Sequence, residues 1–255
     1  MKKETRIIAF ANHKGGVGKT TTTATVGSIL AARGFHVLVI DMDAQANLTA
    51  SLLDREPDES IYDALTSRSS QLPVLNVSSC LDIVPSSLSL AMAELEMSSV
   101  ISREKILSGL LDPLKSSYDF ILIDCPPSLG LLTLNAIAAS NEVVIPLLAE
   151  VLPFKGLTMI SDFIETVRTK LNPAAHVTGI LLTRWESSKL SHQIEAGLRQ
   201  QLCSLVFQTK IRKNIRVAEA PMLSQNIMDY APKSNGAHDY ALFVDELLSL
   251  FSEKE

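Results

Sequence analysis

The sequence is poor in cysteine, in aromatic residues and in long apolar runs. Three cysteines occur in 255 residues, Cys80, Cys125 and Cys203, and no two form a C-x-x-C pair. That excludes a disulfide framework and a thiol-ligated zinc or iron–sulfur centre, and a reducing compartment is expected. Aromatics make up 5% of the chain, so the core must be mostly aliphatic. No apolar run reaches the roughly 18 residues of a spanning helix. The start, MKKETRIIAF, meets a glycine-rich loop too soon to read as a signal peptide. An excess of positive charge is also missing. The formal net charge of −5 excludes a wholly basic nucleic-acid binder and leaves room only for a local basic patch.

What is present is an alternation of short apolar runs with longer amphipathic stretches. RIIAFA, HVLVID, LDIVPS, DFILID, EVVIPL and VTGILLT read as strands, apolar on both faces as a covered parallel sheet requires. Helical patterns fall at Lys19–Arg33, Leu88–Met97, Arg103–Lys115, Leu129–Ala139, Lys155–Leu171, Lys189–Leu202 and Ala237–Phe251. This order predicts a doubly wound α/β fold, a mostly parallel sheet with helices on both faces. No linker, repeat or low-complexity tract interrupts it, so one domain over residues 1–255 is expected.

The chemistry begins in ANHKGGVGKTTT, residues 11–22. A P-loop reads G-x-x-x-x-G-K-[ST]; here His13 holds the first glycine position and Lys14 adds a second lysine. A strand before the loop and a helix after it supply the context such a loop needs. Gly15, Gly16 and Gly18 let backbone N–H groups approach phosphate oxygens, and the following helix adds its positive dipole end. Lys19 would sit on the β- and γ-phosphates and the Thr20 hydroxyl on Mg²⁺, within a nucleotide-binding segment running from Lys14 through Val17 to Thr21. Asp41 and Asp43 end the second strand, where α/β sheets hold their ligands. YDFILIDCPPSLG is an apolar strand running into Asp124, the position of a Mg²⁺-holding carboxylate. Asp43 is a further candidate metal ligand. The three elements in this order point to ATP and Mg²⁺, and the lack of an N-K-x-D motif speaks against GTP.

KGGVGKTT, DMDAQAN and IDCPPSLG together resemble the ParA/Soj family of partition ATPases, within the deviant Walker A group that includes MinD. The resemblance extends through NAIAASNEVVIPLLAEVLPFKGL, VFQTKIRKNIRVAEAP and YAPKSNGAHDYALFVDEL, nearly the whole chain. It implies that Lys14 crosses to the partner's phosphates in an ATP-sandwiched homodimer. It also implies that Asp43 orients the attacking water, which makes Lys14, Lys19 and Asp43 the catalytic candidates, while Asp41 anchors the turn. A ParB-like partner would stimulate hydrolysis. Two departures stand out. The family's D-P-Q-G-N appears as Asp43-Ala44-Gln45-Ala46-Asn47, which bears on the hydrolysis rate more than on ATP binding. Its I-P-R-N-V-R-L-S-E-A-P runs from Ile211 to Pro221 with Arg212 in place of the proline.

Lys210, Arg212, Lys213 and Arg216 place four cations within seven residues, with Arg184, Lys189 and Arg199 as candidates to join them. Such a cluster suits non-specific binding of the DNA backbone, as the resemblance also implies, and dimerisation would double it. No helix-turn-helix segment precedes the first strand, so operator binding is not expected. A MinD-like membrane helix is not expected either. The last helix sets Leu242, Phe243, Leu247, Leu250 and Phe251 among Asp239, Asp245, Glu246, Glu253 and Glu255, acids that anionic lipid would repel, and it should pack onto the domain. The expectation is a cytoplasmic, nucleoid-associated ATPase of slow intrinsic turnover that moves a plasmid or chromosome. A positioning ATPase for a protein assembly, and a MinD-like ATP switch with little hydrolysis, are the alternatives. His13 carries no assigned role.

Overall fold

The expected apolar runs all lie within one eight-stranded sheet in the computed structural model, which describes residues 5–149 and 153–252. The strands are β1 (Arg6–Phe10), β2 (Val37–Asp41), β3 (Leu75–Ser78), β4 (Leu81–Val84), β5 (Phe120–Asp124), β6 (Glu142–Leu148), β7 (His176–Trp185) and β8 (Val206–Arg212). Their spatial order is β3-β4-β2-β5-β1-β6-β7-β8, all parallel except the β3–β4 pair. β2, β5 and β6 are buried along their whole length, which explains their unbroken apolar sequences.

The α-helices, in chain order, begin with α1 (Lys19–Ala32), α2 (Asn47–Leu52), α3 (Ile61–Leu65), α4 (Ala93–Met97), α5 (Ile106–Leu111) and α6 (Leu131–Ala139). They continue with α7 (Pro153–Lys170), α8 (Lys189–Leu202), α9 (Ile215–Glu219), α10 (Ile227–Tyr230) and α11 (Asn235–Ser252). Two separate aliphatic clusters, one on each face of the sheet, form the core. On one face α1 lies so close that a methyl group on Gly27 would come within 2.8 Å of the Val39 side chain. The structure is the doubly wound fold expected.

Several details differ from expectation. β3 and β8 were not foreseen. Both are edge strands whose burial alternates or breaks, so their sequences carry little apolar signal. The stretch 88–97 is half 3₁₀ turn and half α4, and 103–115 reduces to α5 with short 3₁₀ turns at its ends. α11 packs on β8 and α1 through Tyr240, Phe243, Leu247 and Phe251, as expected of the last helix, but Leu242 is 44% exposed. Glu246 of α11 accepts hydrogen bonds from Gln208 N and Thr209 N, satisfying β8 where its pairing with β7 is irregular. Residues 150–152 of the segment after Asp124, and Glu253 and Glu255 of the acidic flank, lie outside the described residues. Among the described residues no helix is long and apolar enough to cross a membrane.

Candidate functional site

β1 lies between β5 and β6 at the point where the winding of the sheet reverses, and the glycine-rich loop leaves its carboxyl end. Gly16 (φ +72°) and Gly18 (φ +88°) adopt the left-handed backbone that turns the loop into α1, a conformation other residues resist. Asn12 pins the loop's start: its amide donates to the Pro146 carbonyl at 2.7 Å and its oxygen accepts from Lys14 N at 3.1 Å. Thr183 pins the far side, its hydroxyl donating to the Val17 carbonyl at 2.7 Å. Val17 is buried, while Lys14, Gly15 and Gly16 are exposed. Lys19 is 6% exposed and donates to the Lys14 carbonyl at 3.2 Å. Burial lowers its pKa, and the neighbouring Asp124 carboxylate works against that fall.

The register of β2 and β5 sets Asp41 beside Asp124 at the ends of adjacent strands. Both are buried. Asp41 is fully employed: it accepts hydrogen bonds from Asp43 N, Thr49 N and the Thr49 hydroxyl at 3.1, 2.9 and 2.8 Å. It is the turn anchor expected, and burial raises its pKa to about 6. Asp124 is different. Neither carboxylate oxygen has a hydrogen-bond partner, although the Thr20 hydroxyl and Lys19 lie close enough to favour its charge. Burial first, and the Asp41 charge second, push its pKa well above the carboxylate range. An orphaned buried carboxylate beside a hydroxyl and a lysine fits a divalent cation. Among the described residues no three His, Cys, Asp or Glu side chains gather round one point, so such an ion must draw its other ligands from phosphate and water. That is how Mg²⁺ is commonly held.

Gly15, Gly16, Gly18, Lys19, Thr20, Thr21 and Asp43 line one cleft of about 880 Å³. It continues from the loop to the segment 211–227, where Ile215, Val217, Pro221 and Met222 give an apolar wall. A polar, cationic end joined to an apolar slot suits a nucleotide. Asp43 is half-buried, and its carboxylate accepts from Gln45 N at 3.0 Å.

Comparison with known proteins agrees with this geometry. The sequence model of a family described as an AAA domain matches residues 5–177. The sporulation initiation inhibitor protein Soj of Bacillus subtilis is 39% identical over 240 residues, 92% of this chain and 95% of that protein. The chain belongs to the ParA/Soj family of partition ATPases. The chromosome partitioning protein ParA of Myxococcus xanthus is 38% identical over 95% of this chain and 88% of its own length. Among solved structures, cobyrinic acid a,c-diamide synthase from Mycobacterium smegmatis, with bound ATP analogue and magnesium, superposes with a TM-score of 0.84. It is 32% identical, and the match covers 98% of this chain and 97% of that one.

Against the family pattern, Ala46 retains the left-handed turn of the usual glycine, at φ +52°. The basic segment is less available than its sequence suggests. Lys210 bonds Glu195 at 2.9 Å and lies over the Trp185 ring; Arg212 grips buried Asp239 at 2.6 Å. Lys213 pairs with Glu186 at 2.6 Å and Arg216 with Glu219 at 2.9 Å, these two cations being more than half exposed. Arg212 and Lys213 line the nucleotide cleft. Arg199 donates to the Val206 and Phe207 carbonyls and fastens α8 to β8. His13 lies against Gly156 of α7, its Nδ1 buried and unpartnered. Asn12, Thr183 and the Arg212–Asp239 pair were missed in the sequence because each depends on a residue distant in the chain or on an ordinary-looking polar side chain.

Proposed function

We propose that this chain is one ParA-type ATPase domain over residues 1–255 that hydrolyses ATP with Mg²⁺ and cycles between an ATP-bound homodimer and a released form. The observation that carries the reading is Asp124, buried and unpartnered behind Thr20 and Lys19 at the foot of a glycine loop. Family membership supports ATP hydrolysis and a partition or positioning role. Thr20 and Asp124 would hold Mg²⁺, with Asp43 as a further candidate, and the ion supplies charge neutralisation on the phosphates. The backbone of Gly15 to Thr21 cradles the phosphates, and Lys19 moves from the Lys14 carbonyl to the β- and γ-oxygens. Asp43, on a turn anchored by Asp41, orients the attacking water. Lys14, exposed on the loop, reaches the partner's phosphates, so two cationic faces meet only when ATP lies between them. Phosphate release that disappears in Lys19→Ala tests the site; retention of stimulated turnover in Asp43→Ala would contradict the role given to Asp43.

In this reading the ATP dimer carries non-specific DNA on Lys213 and Arg216, with Lys210 and Arg212 behind them, and a ParB-like partner triggers release. The chain would then be cytoplasmic and nucleoid-associated, moving a plasmid or chromosome. One observation favours a second reading, a protein assembly as cargo: each of the four basic-segment cations already has a carboxylate partner within the chain. A DNA-binding assay on the ATP-bound dimer separates the two.

A further inference from the structure

Four cations line the cleft: Lys19, Arg184, Arg212 and Lys213. Three are engaged, Lys19 with the Lys14 carbonyl, Arg212 with Asp239 and Lys213 with Glu186. Among the described residues, Arg184 alone of the four has no hydrogen bond or ion pair from its side chain. Its backbone is also unusual. At φ +48° it is left-handed at the end of a strand, a conformation a long L side chain avoids. It falls within an irregularity of the β7–β8 ladder: Leu182 faces Lys210 and Trp185 faces Arg212, three steps along β7 against two along β8. A bulge of this kind re-aims a side chain, and strain of this kind persists only where the surroundings enforce it.

The surroundings are visible on both sides. Thr183 is tied to Val17 of the phosphate loop and lies 3.7 Å from where a Gly18 Cβ would sit. The Trp185 carbonyl accepts from Lys213 N at 3.0 Å, at the start of the apolar wall. Arg184 therefore stands at the join between the phosphate end and the apolar end of the cleft. On that wall Ile215 and Met222 are 71% and 83% exposed, an apolar surface that no other part of the described chain covers. A flat apolar ligand fits there, and a guanidinium is the cation that stacks well on a π face.

We propose that Arg184 is a nucleobase contact: the bulge and the left-handed backbone aim its guanidinium onto the base of the bound nucleotide. The inference rests on the cleft being the ATP site, and it assigns Arg184 to the nucleotide rather than to DNA. The test is calorimetric binding of ATP and of inorganic tripolyphosphate, with Mg²⁺, to the full chain as wild type, Arg184→Met and Arg184→Gly. Both variants should lose about 5- to 10-fold in ATP affinity and keep wild-type affinity for tripolyphosphate. Arg184→Gly should in addition melt about 1–4 °C higher, its backbone strain relieved. Equal losses for both ligands would make Arg184 a phosphate contact and overturn the proposal, as would unchanged ATP affinity in both variants. A wild type that fails to bind ATP would remove the nucleotide site itself, an outcome distinct from one in which only Arg184 is dispensable.

Discussion

Replacing Ala46 with glycine should stabilise the protein. Ala46 sits at φ +52°, ψ +32° ahead of α2, in a turn held by Ala46 N on the Asp43 carbonyl at 2.9 Å. The Ser86 hydroxyl donates to the same carbonyl at 2.7 Å. A left-handed conformation costs an L residue roughly 1–2 kcal/mol, which glycine avoids. Glycine gives back about 0.4–1 kcal/mol through its freer unfolded chain. The net gain is ~0.5–1 kcal/mol, or a Tm rise of about 1–4 °C for a chain of this size. Gly34→Ala is the reverse control: φ is +87° and nothing lies within 4 Å of the added methyl, so only the backbone opposes it. It should lower Tm by a similar amount. Urea unfolding followed by circular dichroism reads both. A fall of 2 °C or more in Ala46→Gly would mean that contacts of the methyl, and not backbone strain, govern this turn. Because the turn is already in its glycine-like shape, ATP turnover in Ala46→Gly should stay within about threefold of wild type.

Three further outcomes follow from the buried charges. Asp124→Asn should raise the melting temperature of the nucleotide-free protein, since it removes an orphaned buried carboxylate, and should abolish stabilisation by ATP with Mg²⁺; differential scanning calorimetry with and without the ligand checks both. Asp41 binds its proton more tightly folded, with a pKa of about 6 against 3.8, so its share of stability is present below pH 4 and lost as pH rises towards 6. The loss is ~3 kcal/mol from this group, read as the change in urea midpoint between pH 4 and pH 7 in wild type relative to Asp41→Asn. If Lys213 and Arg216 touch DNA phosphates, each alanine substitution should lower the slope of log affinity against log salt by about 1, measured by fluorescence anisotropy on duplexes of unrelated sequence.

The phosphate loop, Asp43 and Asp124 were legible because their meaning lies in spacing along a few residues at the ends of apolar strands. The sheet was legible where strands are buried on both faces, as in β2, β5 and β6. β8 was not: VFQTKIR mixes buried and exposed positions at a sheet edge, and its lysine and arginine read as a solvated basic loop. Their partners, Glu195 and Asp239, lie 15 and 27 residues away on different helices, so nothing local announces the pairing. His13 meets Gly156 across most of the chain, a contact that only the fold creates. The left-handed backbone of Arg184 likewise has no sequence signature, since neither glycine nor asparagine marks it.

The central claim is that ATP assembles a sandwich dimer, through Lys14, which then carries DNA. Co-sedimentation with non-specific DNA, for wild type and Lys14→Ala with ATP, with ADP and without nucleotide, tests it most directly. The account predicts binding by the wild type with ATP only, and its loss in Lys14→Ala. DNA binding independent of nucleotide, or undiminished in Lys14→Ala, would contradict it.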